Sequence, residues 1–412
     1  MKSWLSIAPN HDFSIYNLPF GMFLRNDVPT PGIAIGDYIV DLKAAFNNDV
    51  LDATGVKAEV LNQNTLNDFI ALGKKATCAV RNRIQDQLID TDSMLRKHQD
   101  AILVDRLTAK MCLPVAVGDY TDFYSSIEHA TNVGIMFRGV ENALMPNWKH
   151  LPVGYHGRSS SIVVSGTDIK RPKGQMKPAD ADAPVFGPTK RLDIELEMAF
   201  IIGKNTHLGD TVNIKNAEEY IFGMALFNDW SARDIQGWEY VPLGPFLGKN
   251  FGSTLSPWIV TMEALEPFRT AGPKQDPTPL PYLQTDIVGN YDIRLEVSLQ
   301  PNNSTETIIC RSNFKYMYWS MVQQLAHHTI NGCNIRVGDL MASGTISGPD
   351  KGSYGSLLEI TWGGKDIINL SDGNTRTFLE DGDTIHLRGF SESGEKRVGF
   401  GLCSGKILPA DK

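Results

Sequence analysis

The chain has 412 residues, 42% of them hydrophobic and 21% charged, with a formal net charge of -8, which allows an ample core and suggests two or three domains. With neither basic clusters nor a polybasic tail, this acidic balance argues against nucleic acid or an anionic membrane as the main partner. No stretch approaches the roughly 18 apolar residues of a membrane span, and MKSWLSIAPNHDFS lacks the apolar core of a signal peptide, so a soluble cytoplasmic protein is expected.

Residues 1 to 50 read as short strands with tight turns, clearest at Gly32–Ile35 and Tyr38–Leu42 around Gly36-Asp37. Thr65 is expected to cap a helix over LNDFIAL that stops at Gly73, and Lys74–Leu103 carries an amphipathic pattern with Val80, Ile84 and Leu88 on one side. The apolar, proline-containing Met111–Gly118 follows without cap or period and marks a domain junction, giving 1–113 and 114–412. DYTDFYSSIEHATNVGIMFRG then gathers Asp119, Asp122, Tyr124, Ser125, Ser126, Glu128, His129 and Arg138, as functional loops do. Taken alone, His129 reads as a solvated or capping histidine. Lys170–Thr189 and Glu266–Leu283 are long Pro/Gly-rich connections, of the kind that serve as lids, subunit contacts or exposed excursions.

Between them, Leu192, Ile194, Leu196, Met198 and Phe200 alternate with Asp193, Glu195, Glu197, Ala199 and Ile201, the period of a strand with one apolar face. Glu195 and Glu197 share its other face, and the run Phe222–Phe227 ends at Asn228-Asp229 before a short helix begun by Ser231. Three carboxylates can therefore converge, either on a wet face or on a hard cation such as Mg2+ or Ca2+. Nearby Arg233, Gln236, Tyr240 and Lys249, set among Trp, Pro and Gly, suit a rigid polar pocket.

Phe314–Thr329 has helical spacing, with Ser312 or Asn313 as cap, Gly332 as stop, and His327 and His328 read as structural. Val337–Lys412 reads as strands and turns, in which the backbone of Gly344 and Thr345 can receive an anion or make a plain turn. Glu359, among apolar residues in SLLEITW, needs a partner. The five cysteines, odd in number and widely spaced, indicate neither a disulfide framework nor a zinc site. Absence of a P-loop and of G-x-S-x-G leaves metal-assisted hydrolysis as the chemistry that carboxylates, a histidine and a donor cluster suit.

DYTDFYSSIEHATNVGIMFRG, LPVGYHGRSSSIVVSG, ELEMAF, NDWSARDIQ, WEYVPLGPFLGKNFG, CRSNFKYMYW, ASGTISG and TRTFLEDGD, in that order, resemble the fumarylacetoacetate hydrolase family over nearly the whole chain. The longest blocks narrow the resemblance to the branch that cleaves 4-fumarylacetoacetate to fumarate and acetoacetate, the last step of tyrosine and phenylalanine catabolism. It implies a mainly β fold with some α, a small SH3-like N-terminal barrel plus a larger β-roll C-terminal domain, and a homodimer formed through the latter. It also implies that Asp122, Glu195, Glu197 and Asp229 ligate Mg2+ or Ca2+. His129 is then the base that activates water, Glu359 its orienter, and Arg233, Gln236 and Lys249 complete the catalytic set by stabilising oxyanion and carbanion. Tyr124, Arg138, Tyr155, Gln236, Tyr240 and Thr345 would grip the substrate, a small diacid for which an Arg-carboxylate contact is strong and directional. Ile127, Glu128 and Ser253 depart from the family pattern, and a carboxylate beside the base bears on the pH optimum.

Three rivals remain at this level. An acylpyruvate hydrolase, hydratase or decarboxylase keeps the metal and changes the reaction. A serine hydrolase would use Ser125 four residues before His129. A non-catalytic protein would only bind a cation and a diacid.

Overall fold

Asn26 and Asp27 both adopt left-handed backbone (φ 51° and 62°) and close a hairpin between the strands Phe20–Arg25 and Val28–Ile35. Two left-handed residues are what a turn matched to strand twist requires. Gly36-Asp37 closes the next hairpin, onto Tyr38–Asp41. The computed structural model describes residues 1–412, mainly β with some α, and no helix in it is long and apolar enough to cross a membrane.

These first strands do not form an isolated unit. Phe20 pairs with Ile259 and Gly21 with Trp258, which joins them to a large sheet whose path continues through Trp258–Thr261, Ile221–Asp229, Leu196–Ile202, Leu340–Ala342, Tyr120–Phe123 and Gly154–His156. Leu196–Ile202 lies near its middle and is buried on both faces. Leu196, Met198 and Phe200 pack into the C-terminal core, while Ala199 and Ile201 pack with Phe20, Ile33 and Phe69 in the other. Of the two alternatives for the acids, a wet face or a cation site, the wet face is therefore absent, and the alternation of acids with apolar residues stops where the two cores close over the strand.

Four local expectations change in the fold. Thr65 caps nothing: the short helix Asn67–Ala71 has Leu66 at its N-cap, whose apolar side chain has no acceptor to offer, and the Leu66 N–H donates to the Pro114 carbonyl at 2.9 Å. The amphipathic helix runs only Lys74–Ile89, since Ser93 starts a new turn by accepting from the Arg96 N–H. Lys173–Met176 and Val185–Pro188 pair as a hairpin, so Lys170–Thr189 is not a structureless connection. The helix in the second half begins at Met321, where Ser320 and Gln323 form a capping box, and Asn313 instead caps the 3-10 turn Phe314–Tyr316. The intervening chain cannot stay helical because Tyr318 N–H donates to Ser125 O and Met317 bridges to Ser126. Those contacts fix the segment that leads into His129.

The DYTDFYSS stretch is likewise not a loop. It forms the strand Tyr120–Phe123 and then the helix Ile127–Arg138, capped by Ser126 accepting from the His129 N–H at 3.2 Å. Gly134 in its middle allows close approach, since a Cβ there would collide with the Ala143 carbonyl.

Candidate active site and metal centre

Four carboxylates meet at one end of the large sheet. Asp122 is on the Tyr120–Phe123 strand, Glu197 near the start of Leu196–Ile202, Asp229 at the end of Ile221–Asp229, and Glu195 in the break before Leu196. Antiparallel pairing of Leu196 with Asn228 and parallel pairing of Ala342 with Asp122 bring these strand ends to the same side. All four are buried, and one oxygen from each lies within 4.8 Å of the others.

Positive charge reaches only part of the cluster. Lys249 Nζ donates to Glu195 Oε2 at 2.6 Å and to Asp229 Oδ2 at 2.8 Å, and Arg233 Nη1 lies 2.8 Å from Glu195 Oε1. Burial alone would raise the Glu195 carboxyl, but Lys249 and Arg233 override it and hold the group well below the usual range. Asp122 and Glu197 are pushed well above that range, by burial first and then by neighbouring carboxylates. Asp122 Oδ1 and Glu197 Oε1 are also buried without a hydrogen-bond partner. Two carboxylates without a cation and two orphaned oxygens match the charge and ligand needs of one divalent ion, and an all-oxygen donor set suits a hard one. The surround is built to hold the ligands: Ser253 Oγ donates to Asp229 Oδ1 at 2.8 Å, and Gly344 N–H donates to Glu197 Oε2 at 3.1 Å. Gly344 has φ 72°, so the turn that aims this N–H favours glycine.

Opposite the cluster, His129 Nδ1 lies 2.6 Å from Glu359 Oε2, and both residues are buried. Glu359 also receives Asn132 Nδ2 at 3.0 Å, Ser347 Oγ at 2.9 Å and Ser356 Oγ at 2.8 Å. Burial would raise it, yet His129 and these donors hold it below the ordinary range. A carboxylate at Nδ1 fixes the ring proton there and leaves Nε2 as the acceptor. Glu128 turns its carboxylate to Ser126 Oγ, 3.5 Å away.

A cavity of about 410 Å³, a size typical of small-molecule sites, is lined by Asp122, Tyr124, His129, Arg138, Tyr155, Glu195, Arg233, Gln236, Tyr240, Lys249 and Thr345. Gln236 Oε1 accepts from Arg233 Nη1 at 3.2 Å, which turns the Gln236 amide donor away from Arg233. Arg233 Nη2 and Thr345 Oγ1 are buried without partners. Arg138 already donates to the carbonyls of Asn142 and Ala143, and the Tyr155 hydroxyl donates to Asp229 Oδ2 at 3.3 Å. Tyr240, 48% exposed, stands at the mouth.

Ser125 is not brought to His129. Fully buried, its Oγ accepts from Gln324 Nε2 at 2.8 Å and does not line the cavity. His327 and His328 bond Tyr282 and Thr121 instead. Residue-level reading missed Asn132, Ser347 and Ser356 as supports of Glu359, although Ser356-x-x-Glu359 is itself a helix-start pattern. It also passed over Asp193, which is fully buried and accepts from Arg233 Nε at 2.8 Å.

Comparison with known proteins extends this geometry. Residues 16–114 match the family model described as fumarylacetoacetase N-terminal, and 120–404 that described as fumarylacetoacetate (FAA) hydrolase C-terminal. The chain is 54% identical to the fumarylacetoacetase of Homo sapiens, with 99% of each chain covered. It is 53% identical to that of Caenorhabditis elegans (100% of each) and 50% identical to that of Arabidopsis thaliana (100% and 99%). Among solved structures, a fumarylacetoacetate hydrolase from psychrophilic Exiguobacterium antarcticum superposes with a TM-score of 0.54 at 18% identity, over 95% of this chain and 99% of that one. A maleylpyruvate hydrolase from Sphingobium sp. SYK-6, in complex with manganese(II) ion and pyruvate, gives 0.51 at 15%, over 96% and 100%. At such identities the two structures speak to the fold alone.

Proposed function

Because the chain belongs to the fumarylacetoacetate hydrolase family and is a hydrolase, we propose that it hydrolyses the carbon-carbon bond of 4-fumarylacetoacetate to fumarate and acetoacetate. The observation that carries this reading is the buried four-carboxylate cluster facing the His129-Glu359 pair across one cavity.

In this reading Asp122, Glu195, Glu197 and Asp229 hold Mg2+ or Ca2+. A divalent cation bound there supplies Lewis-acid stabilisation of negative charge on the dicarbonyl oxygens. His129 Nε2 takes a proton from water, whose oxygen attacks the carbonyl carbon of the fumaryl group. Glu359 holds the ring in register and steadies the imidazolium. Arg233, through its unpartnered Nη2, and Gln236, through its amide, donate to the oxyanion. Lys249 stays charged, because Asp229 and Glu195 outweigh the burial that would lower it, and so stabilises negative charge on the departing carbon. When the carbon-carbon bond breaks, its electron pair leaves with the acetoacetate carbon, which takes up a proton. Tyr124, Tyr155, Tyr240, Thr345 and Arg138 shape the remainder of the cavity, with Arg138 toward a substrate carboxylate.

Steady-state assay of the purified protein against fumarylacetoacetate, acylpyruvates and oxaloacetate tests the substrate. Turnover of the first is expected to exceed that of the others by at least about 100-fold in kcat/KM, a gap within what differential binding of a diacid can supply. Preference for an acylpyruvate or oxaloacetate would overturn the choice.

We also read the protein as a homodimer of the cytoplasm, acting at the last step of tyrosine and phenylalanine catabolism. Residues 114–412 form the catalytic domain, and 1–113 a supporting N-terminal domain. Exposed apolar side chains support self-association: Leu243 is 97% exposed, Val140 75% and Phe186 73%. Light scattering at micromolar concentration should report twice the chain mass of 45.5 kDa. A monomer would refute that assembly.

A further inference from the structure

One fully buried carboxylate near the cavity, Asp193, has no assigned role, yet it joins two parts of the proposed machinery. Its Oδ2 accepts from Arg233 Nε at 2.8 Å and from the Leu358 N–H at 3.0 Å, and its Oδ1 accepts from the Leu357 N–H at 2.7 Å and the Ile194 N–H at 2.7 Å. Leu357 and Leu358 open the short helix Leu357–Ile360, which carries Glu359. Arg233 opens the helix Arg233–Glu239, which carries Gln236. Asp193 is thus the one side chain that bonds both the backbone supporting the orienter of the base and the guanidinium turned to the oxyanion.

We propose that Asp193 is a positioning residue for the reaction, setting the direction of Arg233 and, through the same carboxylate, the placement of Glu359 relative to it. The inference rests on the roles proposed above for Arg233 and Glu359. Its physical basis is the saturation of each group. Arg233 spends Nε on Asp193 and Nη1 on Glu195 and Gln236, so the planar fork has one orientation and Nη2 is the donor left over. With four N–H donors directed at it, Asp193 has no free acceptor site from which to grip substrate, and it is absent from the cavity lining. The carboxylate satisfies the first two N–H groups of the Leu357–Ile360 helix without water and ties the Arg233 side chain to them, so the geometry is held before substrate arrives. Short-range ordering of this kind matters because a donor misplaced by about 1 Å costs on the order of 100-fold in rate.

The test is a double-mutant cycle on the metal-loaded protein. Asp193→Asn keeps the volume but places an amide donor against Arg233 Nε or the helix N–H groups, and Asp193→Ser removes the carboxylate while leaving room for water. Each should lower kcat by about 100-fold per folded, metal-loaded molecule, with KM and the affinity for Mg2+ or Ca2+ changed less than about threefold. Arg233→Lys should cost at least that much in the parent protein but less than about threefold more in either Asp193 background, because the fork is already misdirected. Multiplicative losses, an unchanged kcat in both Asp193 variants, or failure of both to fold would overturn the inference, the last by showing a role in the fold alone. An unchanged kcat in Arg233→Lys by itself would instead overturn the oxyanion reading, and this inference with it.

Discussion

Removal of divalent cations is expected to lower turnover of fumarylacetoacetate by about 10³-fold or more, with recovery on adding Mg2+ or Ca2+. Each ~1.4 kcal/mol of lost charge stabilisation is a factor of ten, and a divalent ion supplies several kcal/mol. The same experiment has a stability readout with a definite sign. Asp122 and Glu197 are held above the ordinary carboxylate range in the metal-free protein, by burial first and then by neighbouring carboxylates. Between the unfolded value of roughly 4 and those raised values the folded state binds more protons than the unfolded chain. The contribution is therefore fully present below the unfolded pKa and is lost as pH rises through the folded one. Metal binding displaces those protons, so metal affinity rises with pH. Thermal melts from about pH 5 to about pH 8, with chelator and with excess Ca2+, should show the two melting temperatures drawing apart as pH rises. A separation that stays constant or shrinks would contradict a cation seated on these carboxylates.

Replacing His129 by Ala is expected to cut kcat by roughly 10³-fold, within the span of general-base contributions, while leaving KM within a few-fold. The imidazole touches none of the four carboxylates in its hydrogen bonding, which goes to Glu359. Metal-induced thermal stabilisation should therefore persist in His129→Ala. Kinetics that barely change would assign the proton transfer to another group, and loss of the metal response would mean that the two halves of the site are not separable. Glu359 left without His129 still has Asn132, Ser347 and Ser356 as partners, so the substitution does not strand a buried charge.

How far the site is readable in sequence differs from residue to residue. Glu195, Glu197 and Asp229 stand out locally, because acids in an otherwise apolar alternation are conspicuous. Asp122 and His129 do not, since DYTDFYSSIEHATNVG is rich in polar residues, among which no single acid or histidine is conspicuous, and carries weak helix formers such as Thr131, Asn132 and Gly134. The helix forms there because Ser126 caps it and Gly134 lets it lie against Ala143. Glu359 shows only that it needs a partner. Asp193 is as conspicuous in the alternation as Glu195 and Glu197, but nothing local separates its bonds to Arg233 and the Leu357 helix start from the part its neighbours play.

The turn at Gly36-Asp37, the apolar period through Phe200, the demand of Glu359 for a partner and the block order that resembles one family all follow from sequence, because each depends on neighbours in the chain. Tertiary structure decided whether the acids of Leu192–Ile202 face water or protein. The N-terminal strands, pairing at Phe20 and Gly21 with residues near 259, close a second core over Ala199 and Ile201, and the strand has no wet side. Once it is dry, its carboxylates must find cations, N–H groups or a metal, because a buried charge without a partner is too costly to retain. Which of them finds which follows from strand register: Asp122 beside Ala342, Leu196 beside Asn228 and Asp193 under the Leu357 helix start are contacts between segments over 30 residues apart, and no local pattern encodes them.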